Sequence, residues 1–88
     1  MSTHKNTFTI MDIKVAIGER IAQLRKAKKL SQQKFSYEAE IERSYLTHVE
    51  KGRKNISIDT LIKITGALGV SLKDFFDDEP FNGKRKSK

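Results

Sequence analysis

The chain has 88 residues, 36% of them hydrophobic and 33% charged, a composition that suits one small folded domain rather than a disordered polymer. Cysteine is absent, which excludes disulfides and thiolate metal sites, and no apolar run approaches the ~20 residues that span a bilayer, so no membrane partner is expected. A formal net charge of +7 points toward a polyanionic partner.

Residues 1–11 are polar and Thr-rich, with Phe8 and Ile10 alternating among threonines, and read as a frayed arm or a short strand at a partner surface. This stretch has no basic segment followed by an apolar block, so a cytoplasmic location is expected. A folded domain is expected over 12–77. Its first helix is predicted to start near Asp12 and to bury Ile13, Ile17, Ile21 and Leu24, spaced four, four and three. Arg25, Lys26, Lys28 and Lys29 crowd its C-terminal end, where cations complement the helix dipole.

Ser31 to Gly52 reads as two short helices joined by a tight turn. Ser31 is a good N-cap, and Phe35 and Ala39 share one face of the first helix. In the second, Ile41, Tyr45, Leu46 and Val49 fall at helical spacing, and Gly52 terminates it. Ser44, Thr47 and Lys51 project from the opposite side, with Arg43 and His48 at its margins. That face carries hydrogen-bonding and positive groups without a large apolar side chain, as base edges and phosphates require. An ordinary solvated helix face has the same pattern, and the surrounding residues decide between the two.

Lys51, Arg53, Lys54 and Asn55 form a polar, mostly basic loop placed to reach phosphate oxygens. Ser57 caps a fourth helix with Ile58, Leu61, Ile64, Ala67 and Leu68 inward, and Gly69 ends it. Ser71 and Asp74 fit a capping arrangement for a short fifth helix. Leu72, Phe75 and Phe76 there are more apolar surface than so short a helix buries alone, and they form the expected dimer surface. Residues 78–88 read as an acidic-then-basic flexible tail, since Pro80 and Gly83 interrupt helices and KRKSK is a charge block.

Three segments, LRKAKKLSQQKF, RSYLTHVEKG and ISIDTLIKITGALGVSLKDFF, together resemble the Cro and phage-repressor (Xre-type) helix-turn-helix family over roughly 13–76. RSYLTHVEKGRKNISI also looks like the small controller proteins of restriction–modification systems. The resemblance implies a compact, all-α, five-helix, lambda-repressor-like DNA-binding domain. It also implies phosphate or base-edge contacts from Gln32 and Gln33, and major-groove entry of Arg43, Ser44, Thr47 and His48. Arg43 is the best candidate for a bidentate guanine contact, while Tyr45 either packs inward or leans out to a thymine methyl. An ion pair between Arg25 and Glu50 is implied as well. Ser36, Glu40 and Lys34 depart from the family's usual Ala, Gly and acidic residue.

Charge placement agrees with a polar orientation on DNA. Residues 1–30 hold seven basic side chains against two acidic ones, residues 57–83 hold two against five, and the last five residues carry four basic ones. The expected function is a homodimeric transcriptional regulator on a pseudo-palindromic double-stranded operator. The alternative is an antitoxin-type DNA-binding protein that also holds a toxin. Catalysis is not expected, because His4 and His48 stand in unrelated contexts and no nucleophile–base–orienter set can be assembled. His48 has no second metal ligand at suitable spacing, and no cofactor or small-molecule ligand is evident. Single-stranded nucleic acid would call for exposed aromatics on a basic groove, whereas most aromatics here occupy expected core positions.

Overall fold

Apolar residues spaced three and four apart become helices along nearly the whole described chain. The computed structural model describes residues 10–82, with side chains from residue 13 onward. Six helices follow in order: α1 (Ile10–Ala27), α2 (Gln32–Ala39), α3 (Arg43–Glu50), α4 (Ile58–Leu68), α5 (Leu72–Phe75) and α6 (Glu79–Asn82). No strand occurs among the described residues, and the fold is all-α. Phe8 and the basic run 84–88 lie outside the described residues.

Three helices start in the same way. Ser31, Ser57 and Ser71 are extended, and each hydroxyl accepts a hydrogen bond from the amide three residues on, at Lys34, Thr60 and Asp74, all at 3.0 Å. Each such cap is worth about 1 kcal/mol. The α2–α3 turn is closed by Glu40 in the left-handed region (φ 60, ψ 44). Its amide donates to the Tyr37 carbonyl at 3.1 Å and that of Ile41 to the Ser36 carbonyl at 3.0 Å, which satisfies carbonyls at the end of α2.

The core draws at least one fully buried side chain from each of the first five helices: Ile21, Phe35, Leu46, Ile64 and Leu68, and Phe75. Ile17, Leu24, Ile41 and Tyr45 pack around them, partly buried. Within this arrangement α3 lies against α1 and α2, and α5 lies against α4. Ser36 is buried where an alanine was the usual residue, and its hydroxyl donates to the Gln33 carbonyl at 2.8 Å, so no polar group is stranded.

Three sequence expectations need correction. First, α1 begins at Ile10, two residues before Asp12, so Asp12 is not its cap. Second, Ile58 is 72% exposed, because it is the first residue of α4 and precedes the face that enters the core. Thr65 is buried on that helix instead, its hydroxyl donating to the Leu61 carbonyl at 3.0 Å.

Third, the chain does not stop being helical at Asp77. Pro80 lies in the first turn of α6, where a missing N–H costs nothing. Phe81 then meets Phe76 edge to face at 4.9 Å, and Phe76 meets Phe75 at the same distance. The aromatic surface that looked too large for α5 is thus partly covered by the chain's own α6. Phase-like burial of this kind leaves Phe75 at 0% exposure, a core residue that no partner subunit can reach. Of the expected dimer surface, Leu72 (42% exposed) and the partly buried Phe76 remain.

Candidate nucleic-acid interface

The hydrophobic face of α3 is short and fully used, which determines what its other face can do. Leu46 and Val49 are buried, so Arg43, Ser44, Thr47 and His48 are turned outward. Arg43 and Ser44 are exposed, and Thr47 and His48 are half-buried. Arg43 makes no side-chain hydrogen bond or ion pair among the described residues, which leaves its planar fork of donors available. Lys51, Arg53, Lys54 and Asn55 are exposed in the loop that follows, and Gln33 is exposed at the start of α2.

Tyr45 takes the inward of its two open positions. Its ring packs against the core, and its hydroxyl donates to the Asn55 carbonyl at 3.2 Å. It therefore pins the basic loop to α3 instead of projecting with the outward side chains.

Beneath this surface lies an ion pair with little access to water. Arg25 donates from Nε to Glu50 Oε2 at 2.7 Å and from Nη2 to Oε1 at 3.0 Å. The two side chains are only 9% and 6% exposed. The third arm of the guanidinium donates to the Leu30 carbonyl at 2.7 Å, so the α1–α2 connection is tied to the same group. A planar, bidentate pair fixes orientation as well as distance, and it holds the end of α3 against α1.

The resemblance implies a phosphate or base-edge contact from Gln32, but its side chain is turned inward to this pair. Its Nε2 donates to Glu50 Oε1 at 2.8 Å, while its Oε1 accepts from the Thr47 hydroxyl at 2.8 Å. No local pattern in the sequence announces this bridge, because Gln32 and Thr47 are 15 positions apart. Arg20 was also missed. It donates from Nε to the Phe75 carbonyl at 2.7 Å and from Nη2 to the Asp74 carbonyl at 2.8 Å, holding the end of α5 to α1. A cation three residues after Ile17 and four before Leu24, in line with the apolar face of α1, is the available signal.

A helix-turn-helix family profile matches residues 21–75, which covers α2, the turn and α3 with the helices that brace them. The chain belongs to the helix-turn-helix family. Its type is that of the Xre and Cro-like repressors. Among helix-turn-helix relatives, the control protein C.BamHI of Bacillus amyloliquefaciens is 37% identical over 67 residues, spanning 75% of this chain and 83% of that protein. The control protein C.MunI of a Mycoplasma species is 38% identical over 68 residues, or 76% and 92% of the two chains. The crystal structure of the restriction–modification controller protein C.AhdI from Aeromonas hydrophila superposes with a TM-score of 0.71 at 34% identity, covering 74% of this chain and 98% of that one. Within the helix-turn-helix frame, α2 and α3 are the motif helices and α3 is the second of them.

Proposed function

We propose that this protein is a sequence-specific regulator of transcription that inserts α3 into the major groove of double-stranded DNA and acts as a homodimer. The observation that carries the proposal is the division of labour on α3. Its inner side is locked by the buried Arg25–Glu50 pair, while Arg43, Ser44 and Thr47 stand outward beside the cations Lys51, Arg53 and Lys54. A rigid helix with polar residues on one side and phosphate-neutralising groups at its end fits groove insertion. In the cell it works in the cytoplasm, and none of the described helices is long and apolar enough to cross a membrane. Similarity to control proteins of restriction–modification systems supports a controller role, and a methylase or nuclease gene beside its own, rather than a toxin gene, would distinguish it from an antitoxin.

A reader this small makes few base contacts, so two copies on a pseudo-palindrome supply the specificity, with half-sites about one helical turn apart. Two of the apolar side chains left exposed on α4 and α5, Ile62 and Leu72, are the proposed contact between copies.

The test is a pair of titrations, operator and scrambled duplex, at several salt concentrations. Lys54→Ala should weaken both alike and reduce the salt slope by about 0.9, the signature of one phosphate contact. Arg43→Ala should cost about 1–3 kcal/mol on the operator and relax one base position, with little effect on the scrambled duplex. Equal losses on both duplexes for Arg43→Ala would assign this surface to phosphate alone.

A further inference from the structure

The hydrogen bonds beneath α3 determine which way the Thr47 hydroxyl proton points, and this has consequences for base choice. Arg25 fixes the polarity of the whole set. A guanidinium only donates, and the Glu50 carboxylate facing it only accepts. The Gln32 side chain meets that carboxylate at 2.8 Å, so it must present its NH₂ there. Its carbonyl oxygen is then the atom facing Thr47, at 2.8 Å, and the Thr47 hydroxyl must donate to it. The other neighbour of that hydroxyl is the Arg43 backbone carbonyl at 3.0 Å, which also only accepts. A hydroxyl has one proton, and both positions open to it are acceptors of the protein itself.

We propose that Thr47 reads DNA as a hydrogen-bond acceptor, its proton retained by Gln32. This rests on the proposed insertion of α3 into the major groove. No described side chain or amide donates to Thr47 Oγ1, so its lone pairs are what it offers outward. The base edges that donate in the major groove are adenine N6 and cytosine N4, whereas guanine presents N7 and O6 and thymine presents O4, all acceptors. Thr47 therefore selects adenine or cytosine on the strand it faces. Guanine is rejected because two lone pairs meet with no proton between them. Gln32 is then a positioning residue that acts through Thr47, and not a phosphate contact.

Selection of bound duplexes from a random library, with the parent and three variants, tests the assignment. In the parent, the base position assigned to Thr47 should be enriched in adenine or cytosine over guanine by about tenfold. Thr47→Ser keeps the hydroxyl and should keep that preference, whereas Thr47→Val keeps the shape and should level it. Gln32→Met, which removes both amide hydrogen bonds beneath the surface, should reduce the discrimination against guanine and leave affinity for scrambled duplex unchanged. Enrichment of guanine or thymine at that position would overturn the proposal, as would an unaltered profile in Thr47→Val. So would a Gln32→Met protein that binds every duplex more weakly with the same base profile, the behaviour of a phosphate contact. Should Gln32→Met fail to fold, the two Thr47 variants decide alone. An Arg43→Ala profile identical to that of the parent at every position would mark failure of groove insertion itself, whereas a profile altered only at the Arg43 position, with no adenine or cytosine preference in the parent at the Thr47 position, would mark failure of the acceptor assignment.

Discussion

Glu50 has three hydrogen bonds converging on one carboxylate, two from Arg25 and one from Gln32. Glu50→Ala strands the Arg25 guanidinium in a site shielded from water, and the expected loss is roughly 3–5 kcal/mol. Urea denaturation measures it, and a loss under about 1 kcal/mol would place the pair in the class of exposed ion pairs. Glu40 gives the opposite sign. It occupies the left-handed region at φ 60, where a side chain costs on the order of 1 kcal/mol relative to glycine. Glu40→Gly should therefore raise the melting temperature by about 4–8 °C, as seen in a thermal scan. A melting point at or below that of the parent would show that the Glu40 side chain contributes contacts worth more than the strain. The left-handed conformation of Glu40 is legible through the family resemblance, which implies a glycine at this turn position. That of Lys29, at φ 61, is not, since a run of cations carries no turn signal of its own.

Two glycines in helices predict opposite responses to the same substitution. At Gly18 an added Cβ would lie 2.3 Å from the Val49 carbonyl oxygen and 2.8 Å from that of Glu50, so α1 touches the end of α3 backbone to backbone. At Gly52, just past α3 at φ 75, an added Cβ would lie 2.8 Å from Val15 Cγ2 and 3.0 Å from Val15 Cα, less close than at Gly18, where the carbonyls of Val49 and Glu50 are in the way. Those carbonyls cannot turn aside as a side chain could. Gly18→Ala should displace α3 and cost about 1–3 kcal/mol, despite the better helix propensity of alanine. Gly66 is in mid-α4 with nothing within 4 Å of an added Cβ, so Gly66→Ala should stabilise by roughly 0.5–1 kcal/mol. Chemical denaturation of the two variants checks both signs, and a stabilised Gly18→Ala protein would mean that α1 and α3 are less tightly seated. At this scale the sequence identified α1 to α5 through apolar spacing and serine caps. It could not identify α6, four residues long with a proline in it, nor the close seat of α1 on α3, which depends on which helices meet.

Across the whole molecule, the cations of α3 and its loop and the carboxylates of Asp74, Asp77, Asp78 and Glu79 form two separate groups along the sequence, with α4 between them. Arg20 holds the carboxyl-terminal end of α5 through two backbone carbonyls and stands 3.8 Å from Asp78, which fixes α5 and α6 on α1. The sequence pointed to α5 as the self-association surface because two adjacent phenylalanines seemed more than it could bury. Burial of Phe75 and the edge-to-face contact of Phe81 with Phe76 reduce that surface, and exposed apolar groups on α4 enlarge it. Leu72 at 42% and Ile62 at 49% exposure are both half in water on helices that pack together. An exposed apolar side chain there adds little to the fold of one copy, so replacing it should act on assembly. Ile62→Lys and Leu72→Lys should each retain full helicity by circular dichroism while shifting sedimentation at micromolar concentration from dimer toward monomer. Binding to a two-half-site operator should then fall by about 10²–10⁴, because the second half-site is no longer filled as an intramolecular event. Binding to a single half-site should hardly change. A parent protein that sediments only as monomer and binds its operator one copy at a time would remove the dimer from this account and leave α3 as a solitary reader.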